Sequence, residues 1–435
     1  MMLEQLVPGL GIIGILFVLL LMRIPIAFAL AGAGIVGLAW ARPWPAVEYL
    51  LSTFAYGSIA NFAYVVLPLF LFMGHMAFSA GLSKLAFDAG QTWLGRVPGG
   101  LAAATVFGCA AFSTICGSSV ATASTMAKVA MPEMLRKGYA PRLAAGCVAA
   151  GGTLGVLIPP SGVLVVYSIM TDVSLVKLFL AAFVPGMMTA VIYIVGIYVW
   201  VKVSPGLAPN ARNEPAPSWG EKVRSLGRAW ELLILFAAVM GTIYLGVATP
   251  TEAAALGALF SLITVLRRKN WKFSVLLGLR ETGTATCSIF ALVIGAGLFS
   301  LGLSTTQFPA ILASLASDLQ WSQTAMIIMI LVPFLILGCF VDGLSMILIT
   351  MPIVFPIMTQ IGFDGVLFGL LVTKAVEIGA ITPPVGLNAF VVKSMAPNVP
   401  LGDVFKGCAP FVIMELFIVG LLIAFPEIAL FAIRE

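Results

Sequence analysis

Two short runs in this sequence hold the residue types that take a helix apart and lay its backbone open: Gly155-Val-Leu-Ile-Pro-Pro-Ser-Gly162 and Gly379-Ala-Ile-Thr-Pro-Pro-Val-Gly-Leu-Asn388. Adjacent prolines remove two N–H donors and push the preceding residue out of helical geometry, and the glycine beyond them permits dihedrals that other residues avoid. A helix must break at each run. In an apolar setting such a break frees carbonyl oxygens able to ligate Na⁺, while the restarted helix turns a partial positive charge toward an anionic solute. A simple proline kink is the plainer account of one such site. Two Pro-Pro-x-Gly runs at matching places argue against it.

Further chemistry-bearing residues sit in apolar flanks. Phe112 to Thr125 gathers hydroxyls around Gly117, with Ser118 and Ser119 beside it, and residues 98–133 are too short for two full spans yet too polar in the middle for one. A re-entrant hairpin fits, since non-helical backbone at membrane depth is tolerated only inside protein or around a wet cavity. Thr122, Ser124 and Thr125 fit a helix face equally well as small packing residues. The counterpart, within residues 322–357, is Gly338-Cys-Phe-Val-Asp-Gly-Leu-Ser345. Its Asp342 marks a cavity or an ion path, because a carboxylate in lipid is costly; it could equally cap the second arm of the hairpin, and the two roles are compatible. Lys374 and Glu377 lie one helical turn apart, as a buried ion pair or a coupling pair would. His75 and Glu415 are expected to be satisfied by neighbours.

What positions these residues follows from composition. Of 435 residues 61% are hydrophobic and 9% charged, so the surrounding solvent must be lipid. Spans are expected at about 6–22 (a retained span, since a cleavable leader fits poorly), 25–41, 52–80, 142–170 with its break, and 176–202. A repeat then fixes the plan. Pro132, Gly138, Gly155, Pro159, Pro160 and Gly162 fall, at a shift of 224, on Pro356, Gly362, Gly379, Pro383, Pro384 and Gly386. Gly74-x3-Phe78-x2-Gly-Leu-Ser83 recurs as Gly295-x3-Phe299-x2-Gly-Leu-Ser304, and Pro25 and Pro185 pair with Pro250 and Pro410. The fold class expected is therefore an all-α polytopic membrane protein of about 10–12 transmembrane helices in two inverted repeats. Residues 1–202 form the first, with hairpin 98–133 and broken helix 142–170. Residues 203–229 form a cytoplasmic linker, and residues 230–435 the second repeat, with hairpin 322–357 and broken helix 364–393.

Five crossings per copy invert the second, and the basic residues agree. Lys84, Arg96, Arg136, Lys137 and Arg142 fall on the side of the linker's Lys202, Arg212, Lys222, Arg224 and Arg228, as do Arg267, Arg268, Lys269, Lys272 and Arg280; Arg42, Lys177 and Arg434 are the exceptions. The net charge of +5 is thus a topology signal and implies no nucleic-acid partner. Six scattered cysteines and a single histidine disfavour a disulfide frame, a zinc site or a histidine-based hydrolase, and neither a nucleophile elbow nor a phosphate-binding glycine loop is present. No catalytic residues are expected.

Gly117-Ser-Ser-Val-Ala-Thr-Ala-Ser124, Ile158-Pro-Pro-Ser-Gly162 and above all Glu377-Ile-Gly-Ala-Ile-Thr-Pro-Pro-Val-Gly-Leu-Asn388 resemble the large membrane subunit of tripartite ATP-independent periplasmic (TRAP) transporters, over essentially the whole chain. The resemblance implies an elevator-type, Na⁺-coupled carrier of an organic acid such as a C4-dicarboxylate or sialic acid, in the bacterial inner membrane. It also implies two partners, a small four-helix membrane subunit on a separate chain and a periplasmic substrate-binding protein. Carried over, one Na⁺ site would use Gly117, Ser118 and Ser119 with the backbone of Gly155 to Pro159. A second would use Gly338, Asp342 and Gly343 with Gly379, Thr382 and Pro383. Substrate would lie between the tips, near Ser118, Ser161, Ser345 and Asn388. Three rivals are a single-component Na⁺/dicarboxylate symporter, a channel, and an intramembrane enzyme built on Asp342 and Glu377.

Overall fold

A computed structural model describes residues 2–209, 217–318 and 321–433, and among these every regular element is helical. Residues 210–216 of the expected linker, with Arg212, and the terminal Arg434 lie outside the described residues. In chain order the first half comprises α1 (Met2–Leu21), α2 (Ile26–Ala41), α3 (Trp44–Ile59), α4 (Val66–Ser79), α5 (Leu82–Leu94), α6 (Gly100–Cys116), α7 (Ser119–Arg136), α8 (Pro141–Leu157), α9 (Gly162–Thr171) and α10 (Leu175–Val203). Then follow α11 (Trp219–Arg228), α12 (Trp230–Phe236), α13 (Thr242–Tyr244), α14 (Pro250–Leu266), α15 (Trp271–Thr305) and α16 (Phe308–Asp318). The second set of broken elements is α17 (Gln323–Gly338), α18 (Gly343–Gln360), α19 (Gly365–Ile381) and α20 (Leu387–Met395), closed by α21 (Leu401–Ala424) and α22 (Glu427–Leu430).

Local chemistry sets these boundaries. Pro25, Pro43 and Pro400 stand just before α2, α3 and α21, with φ already near the helical value and no N–H to lose. Ser118, Ser161, Ser174, Ser322 and Asp342 hold extended backbone and turn a side-chain oxygen to an early N–H of the following helix. Two departures from expectation have the same origin. The span expected over 52–80 is two pieces, because Asn61 takes an extended conformation and its side chain accepts the N–H of Ala63 at 2.9 Å, starting a new helical turn. A polar linker helix, α11, opens with a reciprocal Ser218–Glu221 cap and is tied to α5 by Trp93, whose indole N–H donates to the Lys222 carbonyl at 3.3 Å.

By length and composition six helical segments among the described residues can cross a membrane: Phe62–Ser79, Pro141–Thr171, Leu175–Val203, Trp271–Thr305, Gly343–Gln360 and Leu401–Ala424. A seventh is formed if Trp219–Arg228 and Trp230–Tyr244, bent by 59°, count as one. That is fewer than the 10–12 expected. Four other apolar helices, α2, α6, α14 and α17, have 16–17 residues, about 25 Å at 1.5 Å per residue, short of a hydrocarbon core of about 30 Å.

Lipid supplies no hydrophobic force between helices, so close approach must come from small residues. Gly34 of α2 sits on the backbone of Leu298 and Gly302 of α15, and Gly146 of α8 meets Gly407 of α21 backbone to backbone. Two helices are sealed from every side: α8 is buried without interruption from Leu143 to Leu157, and α19 from Val366 to Ile381. α8 is apolar beyond its first turn and can be buried whole, whereas α19 buries Lys374 and Glu377 as a pair at 2.8 Å. Both lead directly into a Pro-Pro break. Around α8 gather α6, α7, α20 and α21, while α19 is packed by α17, α10 and α21.

At Gly407 any Cβ would overlap the Arg142 carbonyl, so Gly407→Val should lower the thermal stability of the purified protein by roughly 1–3 kcal/mol. Gly420→Ala, on the same helix with open space around it, should cost nothing; thermal melts of both variants in detergent check the pair.

Candidate functional site

The first break begins at Ile158, which is extended although its N–H still reaches Leu154 O at 2.9 Å. A cis Pro159–Pro160 bond follows, then Ser161, whose hydroxyl accepts the N–H of Leu164 at 3.3 Å and restarts the chain as α9. The second break repeats the sequence of events. Thr382 is extended, its hydroxyl donates to Ile378 O at 2.5 Å, Pro383–Pro384 is cis, and Gly386 at φ +60° turns the chain into α20.

Each break is tied to the tip of a helix pair. The Gly162 N–H donates to Gly117 O at 3.2 Å, between α6 and α7, and the Gly386 N–H donates to Cys339 O at 3.1 Å, between α17 and α18. Close packing reinforces both ties. A side chain at Gly155 would come within 2.6 Å of the Ser118 carbonyl, and one at Gly379 would overlap the Gly338 backbone. The tips themselves differ. Gly117 adopts φ +63°, and Ser118 caps α7. Asp342 caps α18 by accepting the Ser345 N–H at 3.1 Å and the Ser345 hydroxyl at 2.6 Å. The capping role is therefore realised, and it fixes the carboxylate's orientation.

Between the tips lies a cavity of about 380 Å³, a size suited to a small organic molecule. Cys116, Gly117, Ser118 and Ser119 line one side, and Val341, Asp342 and Gly343 the other; Leu67 and Phe70 of α4 and Ser288 and Leu292 of α15 close the wall. Four helix starts converge here: Ser119 of α7, Gly162 of α9, Gly343 of α18 and Leu387 of α20 are first residues of their helices, and each lines the cavity. None of the lining residues is basic.

Of the residues singled out in the sequence, Gly117, Ser118, Ser119, Asp342 and Gly343 meet in this cavity. Gly155, Pro159, Gly338, Gly379, Thr382 and Pro383 do not line it: Gly155 packs on the Ser118 carbonyl and Gly379 on Gly338, while Thr382 is half-buried and Pro383 exposed. Ser161, Ser345 and Asn388 are buried and outside the lining; Asn388 donates to Ala149 O at 3.4 Å, and its carbonyl oxygen has no partner. Thr122, left open between packing and function, places a buried hydroxyl oxygen without a hydrogen-bond partner beside Gly155. Carbonyls and hydroxyls of this kind are hard oxygen donors that suit an alkali cation, and among the described residues no group of three His, Cys, Asp or Glu stands ready for a transition metal.

Sequence reasoning did not find Ser288, although the run Thr282, Thr284, Thr286, Ser288 inside the long span α15 was a visible signal. It saw half of a second polar group: Lys374 bonds Glu377 at 2.8 Å and also Glu415 of α21 at 2.9 Å. His75 is paired with Glu281 at 2.9 Å. The carboxylate pair an enzyme would need is not assembled, since Glu377 is held by Lys374 away from the cavity that Asp342 lines.

Residues 13–428 match the family model described as the DctM component of the tripartite ATP-independent periplasmic transporter. The chain belongs to this family. The C4-dicarboxylate TRAP transporter large permease DctM of Pseudomonas aeruginosa is 34% identical over 375 residues, covering 85% of this chain and 86% of that protein. The sialic acid TRAP transporter large permease SiaM of Vibrio cholerae is 28% identical, covering 86% and 87%. Among solved structures, the YdaH transporter of Alcanivorax borkumensis shares the fold, with a TM-score of 0.63 at 15% identity over 97% of this chain and 99% of that one. This TRAP permease is accordingly a transport protein of the inner membrane and not an enzyme.

Cysteines placed at the cavity should report its extent. In a Cys116→Ser, Cys287→Ser background, Ser119→Cys and Gly343→Cys should react with a small water-soluble thiosulfonate. Ser161→Cys and Ser345→Cys, at 0% and 2% exposure, should not; mass spectrometry of the labelled protein distinguishes the two pairs.

Proposed function

We propose that this permease takes up an organic acid by Na⁺-coupled secondary transport, receiving it from a periplasmic substrate-binding protein and working with a small four-helix membrane subunit. The observation that carries the reading is the convergence of four helix N-termini on one cavity beside two backbone breaks. Each helix start contributes unpaired N–H groups and a share of the macrodipole, so the cavity favours a carboxylate without a lysine or arginine. Na⁺ would supply the missing full charge from behind, at the Gly117–Ser119 tip with the Gly155–Pro159 backbone and at the Asp342 tip with Gly379, Thr382 and Pro383. The relatives described as carrying C4-dicarboxylate or sialic acid, both carboxylates, support that substrate class.

The paired breaks and tips also support two inverted copies, 1–202 and 230–435 about a cytoplasmic linker, with the tips as re-entrant hairpins. In an elevator motion the unit built from α6 to α9 and α17 to α20 would carry the cavity across, sliding against a frame that includes α2, α4, α14 and α15. Long apolar contacts inside the frame, such as α2 on α15, suit a part that stays still.

In vesicles containing the permease and its small subunit, uptake of a candidate acid should accumulate only with an inward Na⁺ gradient and the binding protein. Downhill flux without either would indicate a channel, and uptake without the binding protein a single-component symporter. Asp342→Asn should raise the Na⁺ concentration for half-maximal uptake about tenfold, equivalent to roughly 1.4 kcal/mol; an unaltered Na⁺ curve would remove Asp342 from the ion site. Linkage requires Na⁺ to tighten acid binding by the same factor as the acid tightens Na⁺ binding.

A further inference from the structure

A second crevice, of about 560 Å³, lies far from the breaks, where the linker helix α11 packs against α5 beside the end of α7. Arg96, Lys137, Arg224 and Arg228 line it, with Asp88 and Glu221 as its carboxylates. Four cations against two carboxylates leave two positive charges in excess. Both carboxylates are already engaged: Glu221 accepts the Ser218 N–H at 2.7 Å in the α11 cap, and Lys84 and Arg228 both act on the charge of Asp88. Among the described residues Arg96, Arg224 and Arg228 make no salt bridge and no side-chain hydrogen bond. Their guanidinium N–H groups are unspent. Basic residues on this face follow from topology alone, but the gathering of three such forks in one crevice does not. A guanidinium presents paired donors whose geometry matches a phosphate.

The surface around the crevice indicates where that phosphate comes from. At helical spacing Trp219, Val223 and Leu226 form one stripe of α11, opposite the stripe of Glu221, Arg224 and Arg228. Trp219 is 74% exposed and Val223 64%, so no protein covers the apolar stripe. The helix is nonetheless held in place. Trp93 of α5 meets Trp219 edge to face at 6.3 Å, and the Lys222 ammonium lies over both rings, at 5.5 and 5.0 Å. A helix with one basic face and an open Trp-bearing face lies in the plane of a membrane interface. Being about 10 Å across, it reaches through the headgroup layer, which brings its polar stripe to the depth of lipid phosphates.

We propose that this crevice is a lipid-binding site that takes the phosphate of an anionic phospholipid, with Arg96, Arg224 and Arg228 as donors and Trp219 and Val223 in the acyl boundary beside it. A zwitterionic headgroup brings an ammonium for which the crevice has no carboxylate to spare, so a net-anionic lipid is selected. Because α5 packs along α6, the arm that ends at the Gly117 tip, the bound lipid braces the foot of that arm.

Native mass spectrometry of the full-length chain in detergent, titrated with lipid, reads the site without any transport assay. The wild type should bind one phosphatidylglycerol about tenfold or more tightly than phosphatidylcholine. Arg224→Gln with Arg228→Gln, on a helix that has no buried residue, should abolish this preference at an unchanged melting temperature. Arg96→Gln, on the α5 side of the crevice, should weaken it by itself. Arg267→Gln with Lys269→Gln removes the same charge from exposed positions after α14 and should leave the preference intact. Millimolar inorganic phosphate should not displace the lipid. The proposal is overturned by equal affinity for the two lipids in wild type, by a preference that survives Arg224→Gln with Arg228→Gln, by a loss confined to the α11 variants, or by an equal loss in the Arg267→Gln, Lys269→Gln control. Displacement by inorganic phosphate would overturn it in favour of a soluble anion.

Discussion

A peptide group that has lost its helical partner inside a bilayer has no water to turn to, and each such group costs several kcal/mol. Most of this structure is a response to that constraint. The chain breaks two helices in its interior, and it can do so only because the residues leading into each break are sealed by protein. Burial of α8 and α19 on every side, glycine-mediated approach of the tips to the breaks, and the two backbone bonds from Gly162 and Gly386 to the opposing tips all follow. Removing any one of these would expose backbone to hydrocarbon and not merely loosen a contact.

Charge is handled in two opposite ways within a few turns of each other. At the cavity it is distributed: helix starts and capped tips present many partial charges, and the one carboxylate, Asp342, is pinned by Ser345. At the root of α19 full charges are concentrated around Lys374 and isolated from solvent. The first arrangement leaves room for a guest, the second for none.

The sequence made the broken elements legible because their causes are local. Pro-Pro-x-Gly, a glycine beside capping hydroxyls, and an aspartate before Gly-Leu-Ser each dictate backbone behaviour within a few residues, and the helices on either side of the breaks run Pro141–Leu157 and Gly162–Thr171, Gly365–Ile381 and Leu387–Met395. That Gly117 to Ser119 and Asp342 to Gly343 line one cavity is less local, since it joins residues more than 220 positions apart. What escaped has non-local causes. The break at Asn61 depends on a single side-chain bond inside an apolar run that reads as continuous. Glu415 joins Lys374 from 41 residues away, and Ser161, Ser345 and Asn388 share motif positions with lining residues yet face inward.

The converging helix starts have one more implication. Their attraction for an anion belongs to peptide groups, which every sequence possesses, and not to a particular side chain. If the cavity is the acid site proposed above, the apolar wall residues, among them Leu67, Phe70 and Leu292, could be exchanged to reshape the chamber without touching the groups that attract the anion. Recognition of charge and recognition of shape are inherited separately, and a frame built this way can change its cargo by altering only the upholstery.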